Sequence, residues 1–283
     1  MGASFEQALV CPAPAKLNLF LHVVGRRADG YHLLQTLFRF IDHADTLSFR
    51  ARADGRIERG GDLPGVAPRQ DLILRAAHLL REASATRAGV TIELKKRLPL
   101  GGGVGGGSSD AATTLIALNR LWGLGWTRSR LQELALEIGA DVPVFVFGRN
   151  AFAEGVGERL HAVELPSAWY LVLVPQLAVS TAEVFSDPEL TRDSSPIKIS
   201  SFSAGAGSND LEAVVCRRHP AVARHLEWLR QHATAAMTGS GACVFAAFDS
   251  ESAAQEVFRH RPQGVEGFVA RGLDRHPLWE WLE

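Results

Sequence analysis

Six of the seven residues from 101 to 107 are glycine, interrupted only by Val104. The chain holds 27 glycines in 283 residues, where ordinary usage gives roughly 20, so the surplus is nearly all in this window. Glycine admits positive φ and lets backbone N–H groups approach a ligand with no side chain between. The window follows Arg97-Leu98-Pro99-Leu100 and runs into Ser108-Ser109-Asp110, cap-type residues before an apolar helical stretch. A helix N-terminus adds unpaired N–H donors and partial positive charge. Loop and helix together make a phosphate cradle. A flexible linker or a close packing point is the plainer alternative, and six glycines between a predicted strand and a predicted helix weigh against it.

Familiar phosphate loops do not fit. Gly107 is followed directly by Ser108, so the lysine of a Walker loop is missing. Gly101, Gly103 and Gly106 satisfy G-x-G-x-x-G, but residues 111–132 contain no acid for a ribose and a second helix follows the first. No His-Arg-Asp catalytic loop of the protein-kinase type is present.

Alternation of residues 15–24 predicts a half-buried strand. Leu17, Leu19, Leu21 and Val23 share one face; Lys16, Asn18, Phe20 and His22 share the other. Asp29-Gly30 predicts a turn. Residues 36–41, 46–52, 90–96 and 169–174 predict further strands. Residues 71–84 have helical spacing, Thr127 can cap the next helix, and Gly139 can end it. Asp141 comes just after that end, where an acid opposes the helix dipole. Pro220 opens another helix, and Met237–Phe248 predicts a glycine turn feeding a strand. Residues 191–210 are rich in Ser, Gly and Ala and predict a mobile loop. Strands and helices mix without strict alternation, which favours an α+β fold.

Composition excludes several classes. Hydrophobic residues are 46% and charged residues 22%, as in a soluble globular chain with a prior near two domains. A net charge of −1 gives no global attraction to nucleic acid or acidic lipid. Cys11, Cys216 and Cys243 form neither a disulfide framework nor a zinc pattern. Neither a secretory signal nor an apolar run of membrane-spanning length is visible. The expectation is a cytoplasmic protein with neither a membrane nor a nucleic-acid partner.

Three segments in this order, Ala13–Leu21 (APAKLNLFL), the glycine window and Thr238–Phe245 (TGSGACVF), resemble the GHMP small-molecule kinases. Asp29–His32 (DGYH), Gly139–Phe145 (GADVPVF) and Ala151–Glu158 (AFAEGVGE) narrow the resemblance to the branch acting on a cytidine diphosphate alcohol. The likeness runs over nearly the whole chain. It implies a two-domain α+β GHMP kinase fold, with the active site in the cleft between domains. Residues 1–163 would be an ATP-binding domain similar to ribosomal protein S5 domain 2, and 164–283 a ferredoxin-like domain. The implied reaction is ATP-dependent phosphorylation of the 2-hydroxyl of 4-CDP-2-C-methylerythritol, in non-mevalonate isoprenoid precursor synthesis.

By the same resemblance, Asp141 is the general base and Lys16 the catalytic lysine, a charge-coupled pair. Pro99, Leu100, Gly101, Gly102, Gly103, Val104, Gly105, Gly106, Gly107, Ser108 and Ser109 hold the ATP phosphates. Gly239, Ser240 and Gly241 form a second backbone cradle. His32 reads the cytosine edge, Tyr31 and Phe185 stack on the base, and Asn18 helps hold the substrate. Mg²⁺ accompanies ATP, although no multi-carboxylate cage is visible; the assembly would be a monomer or homodimer. Asp71 departs from the pattern, since the family usually has Asn there, and this puts any nucleotide contact of that amide in doubt.

Overall fold

The computed structural model describes residues 8–61, 63, 66–198 and 208–283. Strand β1 (Leu9–Arg26) turns through residues 27–31 into β2 (His32–Arg52). Gly30, at φ +92°, closes the turn by donating to the Arg27 carbonyl. The strands pair antiparallel, with Lys16 opposite Phe40 and Asn18 opposite Phe38. The alternating pattern predicts half burial for β1, yet Lys16 and Asn18 are only 2% and 3% exposed. Loops from elsewhere in the chain cover their face.

The two strands expected over 36–41 and 46–52 are one strand. Polar Asp42 to Asp45 reads as a break, but neighbouring backbone satisfies these side chains. The Asp42 carboxylate accepts the Arg271 N–H at 2.7 Å, and Asp45 accepts the N–H groups of Arg97 and Leu98. The register of β1 shifts between Pro14 and Ala15, directly opposite this stretch.

Strand β3 (Ile57–Gly60) runs parallel to β4 (Gly89–Lys95), which pairs antiparallel with β2. Helices α1 (Leu72–Ser84), α2 (Gly106–Leu121), α3 (Arg128–Ile138) and α4 (Val142–Phe147) cover this part of the sheet. Phe40, Phe49, Leu80, Leu115 and Phe145 are in the core they share. Strands β5 (Ala151–Glu154) and β6 (Arg159–Ala162) form a hairpin on β2.

Strand β7 (Trp169–Val174) lies at the centre of the second half. Its unbroken apolar run has a simple cause: Leu171 and Leu173 enter one core while Tyr170 and Val172 enter another. Helices α5 (Thr181–Ser186), α6 (Glu212–Arg218), α7 (Pro220–Arg230) and α8 (Glu251–Arg259) accompany strands β8 (Ala235–Met237), β9 (Val244–Phe248) and β10 (Glu266–Leu273). β10 pairs with β7 and also with β2, through Gly272–Ile41 and Leu273–Phe40, so ten strands make one sheet.

Residues beyond β10 return to the first core, where Leu278 is buried. Of the 191–210 stretch, expected to be mobile, residues 199–207 lie outside the described residues. Its flanks are pinned rather than free: Ser194 donates to the Val23 carbonyl, and Ser208 and Asp210 hydrogen-bond the backbone of Leu21.

Candidate active site

Lys16 leaves β1 with its ammonium buried, and each of its three N–H donors has a partner. The Asn18 Oδ1 is 2.5 Å away, the Gly103 carbonyl 3.1 Å and the Asp141 Oδ2 3.2 Å. Asn18 is itself held, since its Nδ2 donates to Thr36 Oγ1, which donates to the Phe20 carbonyl. Asp141 occupies the N-cap position of α4 but makes no cap hydrogen bond, and its side chain is 40% exposed. An acid at the end of α3 would oppose that helix dipole. Three residues beyond α3 and at the start of α4 it lies in a favourable field. Sequence reasoning missed this because Val-Pro-Val-Phe-Val-Phe has no helical period.

The glycine window and the Thr238–Gly241 turn interlock over this pair. Thr238 Oγ1 accepts the Asn18 N–H at 2.9 Å and donates to the Gly103 carbonyl. The Cys243 N–H donates to the Gly102 carbonyl at 3.0 Å. A Cβ on Gly103 would stand 2.2 Å from the Thr238 carbonyl oxygen, and one on Gly105 would stand 3.0 Å from Lys16 Cε. Helix α2 starts at Gly106, inside the window, with Gly105 at φ +73° as N-cap and no capping side chain. Ser108 and Ser109 therefore lie within the first turn and do not cap it, contrary to the sequence expectation. The left-handed bend at Gly105, which brings the backbone onto Lys16, sets the start instead. Asn209, which sequence reasoning missed, clamps the second turn by donating to the Met237 and Gly239 carbonyls, both at 2.8 Å.

A cavity of about 530 Å³ joins these parts. It is lined by Lys16, Asn18, Pro99, Leu100, Gly101, Gly102, Gly103, Gly105, Gly106, Gly107, Ser108, Asp141, Phe185, Gly239, Ser240 and Gly241. Val104 and Ser109 are buried and do not line it. A second cavity of similar volume, lined by His43, Arg97 and Phe268, lies beyond Pro99, Leu100 and Gly102 and contains neither Lys16 nor Asp141.

Lys96 donates to Asp45 Oδ2 at 2.5 Å and Asp110 Oδ2 at 2.8 Å, so it braces the loop and is not free to meet a nucleotide. Burial pushes the Asp110 carboxyl up to about 7, against the pull of Lys96. Asp71 caps α1, accepting from the N–H groups of Ile73 and Leu74, and pairs with Arg59. The acid that stands where Asn is usual is thus occupied within the protein.

At the other end, the His32 ring stacks on Phe185, with centroids 4.9 Å apart and planes at 29°. Burial, followed by Arg192 and Arg26, holds the His32 imidazole below its usual range. Tyr31 is 65% exposed, and of the three residues expected at the base only Phe185 lines the cavity; Tyr31 and His32 do not.

Fold and site together define a small-molecule kinase. Models of the GHMP kinases N terminal domain and the GHMP kinases C terminal match residues 71–149 and 196–264. A Nitrosospira multiformis protein named 4-diphosphocytidyl-2-C-methyl-D-erythritol kinase is 64% identical over 98% of this chain and 96% of its own length. One of the same name from Thiobacillus denitrificans is 62% identical over 96% and 98%. A crystal structure of 4-(cytidine 5'-diphospho)-2C-methyl-D-erythritol kinase superposes with a TM-score of 0.81 at 35% identity, covering 93% of this chain and 99% of the other. The chain belongs to the 4-diphosphocytidyl-2-C-methyl-D-erythritol kinase family of GHMP kinases, and its fold is the α+β GHMP kinase fold.

Proposed function

We propose that this protein transfers the γ-phosphoryl group of ATP to the 2-hydroxyl of 4-CDP-2-C-methyl-D-erythritol, giving the 2-phosphate and ADP, in the non-mevalonate route to isoprenoid precursors. The observation that carries this is the Lys16–Asp141 pair at 3.2 Å, in one cavity with two glycine cradles and Phe185. Near-full-length likeness to kinases of that name supports the substrate.

The 99–109 loop and the first turn of α2 hold the ATP phosphates with backbone N–H groups. Gly239, Ser240 and Gly241 face the transferring phosphate. Asp141 takes the proton of the acceptor hydroxyl as its oxygen bonds to phosphorus and the bond to ADP breaks. Lys16, fixed by Asn18 and Gly103, stabilises the negative charge that develops. The base end of the acceptor lies towards His32, Tyr31 and Phe185. No cluster of three or more metal-ligating side chains exists among the described residues. Mg²⁺ would enter with ATP as substrate, and the Ser108 hydroxyl lines the cradle it would meet. We place the domain boundary at 163/164: residues before it supply most of the first core and residues after it most of the second, while Leu278 crosses to the first and Leu21 and Val23 to the second. Among the described residues no helix is long and apolar enough to cross a membrane.

An acceptor panel tests the substrate. ADP release with 4-CDP-2-C-methyl-D-erythritol should exceed that with mevalonate or homoserine by orders of magnitude. Equal release with all three would reject it.

A further inference from the structure

Arg192 joins the two residues of the aromatic stack. Its Nε donates to His32 Nε2 at 3.1 Å. Its Nη2 donates to the carbonyls of Phe185 at 3.0 Å and Asp187 at 2.7 Å, and its Nη1 to that of Leu190 at 3.0 Å. Three carbonyls from one short segment thus fix the guanidinium plane. The segment is itself tied down. The buried Asp187 carboxylate is bonded by Arg217 and Arg218, and the Leu190 N–H donates to the Asp187 carbonyl. Arg192 is therefore preorganised before any ligand arrives.

A guanidinium has donors only and does not lose its proton in a protein. The ring nitrogen that meets it must offer a lone pair, so His32 Nε2 is bare and the proton of the neutral ring sits on Nδ1. An imidazolium would set N–H against N–H, beside Arg192 and with Arg26 near. Nδ1 has no hydrogen-bond partner among the described residues. His32 does not itself line the cavity, but it stacks on Phe185, which does, so its Nδ1–H is the one ring donor left for a ligand at that end.

The chemistry of pyrimidines gives this a consequence. Ring nitrogen N3 of cytosine is an acceptor; N3 of uracil carries a hydrogen. A fixed donor pairs with the first and opposes the second, whereas a histidine free to change tautomer could accept from uracil. We propose that Arg192 is a positioning residue that locks the His32 tautomer and so makes the nucleoside end of the site select cytosine over uracil. This rests on the cytidine diphosphate alcohol proposed above as substrate.

Calorimetric titration of CDP and UDP into the intact protein, with ATP as a separate ligand, tests it alongside long-range proton–nitrogen NMR of the histidine rings. Comparison with a His32→Ala variant assigns the His32 signals. Wild type should bind CDP at least about tenfold more tightly than UDP, the worth of one well-made hydrogen bond, and its His32 should show a protonated Nδ1. Arg192→Ala should bring the two affinities within about threefold, with ATP affinity unchanged and His32 in mixed tautomers. Retained preference in a folded Arg192→Ala protein overturns the proposal, as does a wild-type His32 protonated at Nε2. If Arg192→Ala loses ATP binding as well, the wild-type tautomer decides. Equal CDP and UDP affinities in wild type overturn this inference and leave the proposed reaction standing. Failure of wild type to bind CDP at all overturns the substrate itself.

Discussion

Asp141 shows how far single residues can be read. Its type and neighbours were legible, but its field was not, because α4 is invisible as a periodic pattern. Lys16 was legible as a strand residue beside Asn18, while its burial depends on Gly103 and Thr238, distant in the chain. His276 gave no signal at all. It is buried in the segment that returns to the first core, where its N–H donates to the Gly148 carbonyl. Burial, with Arg128 beside it, pushes its imidazole down to about 3. The unfolded chain takes up this proton near pH 6.5 and the folded chain does not. Stability is therefore lost as pH falls below about 6.5, and by linkage this one group costs about 2 kcal/mol at pH 5 relative to neutral pH. Urea unfolding of wild type and His276→Asn at pH 7.5 and pH 5 should show a pH-dependent loss smaller by about that amount in the variant. An identical loss in both would remove His276 as the cause.

At the scale of elements, the glycine window was legible as a unit, but the tasks of its members were not. Gly101, Gly103 and Gly105 take positive φ; Gly102 is packed so closely that a Cβ would meet Cys243 Sγ at 2.8 Å. Gly107 is different, since a Cβ there would meet Leu72 Cδ1 at an ordinary 3.6 Å. The polar break in β2 misled for a related reason: its acids serve the backbone of β10 and of the segment that follows β4. Gly103 carries both penalties, a φ of +76° and a Cβ 2.2 Å from the Thr238 carbonyl. Gly103→Ala should lose about 2 kcal/mol or more of stability and force the two loops apart. Gly107→Ala should stay within about 1 kcal/mol of wild type. Thermal unfolding of the pair checks this, and equal midpoints would mean that the loops do not interlock as described.

Over the whole molecule, the mixed order of strands and helices was enough to reach α+β. Long-range pairings were beyond local pattern. β10 joins β2 across more than 230 residues, and Asn18 meets Thr238 across 220. That closure brings a cradle from each half of the chain to the site of Lys16 and Asp141, the pair that we propose carries the transfer. The most direct measurement is rapid-quench phosphate transfer from ATP to 4-CDP-2-C-methyl-D-erythritol by wild type, Lys16→Ala and Asp141→Asn. Wild type should form one phosphomonoester for each ADP, and each variant should slow transfer at least about 10²-fold with its unfolding midpoint retained. Transfer at near wild-type rate by either folded variant would contradict the claim.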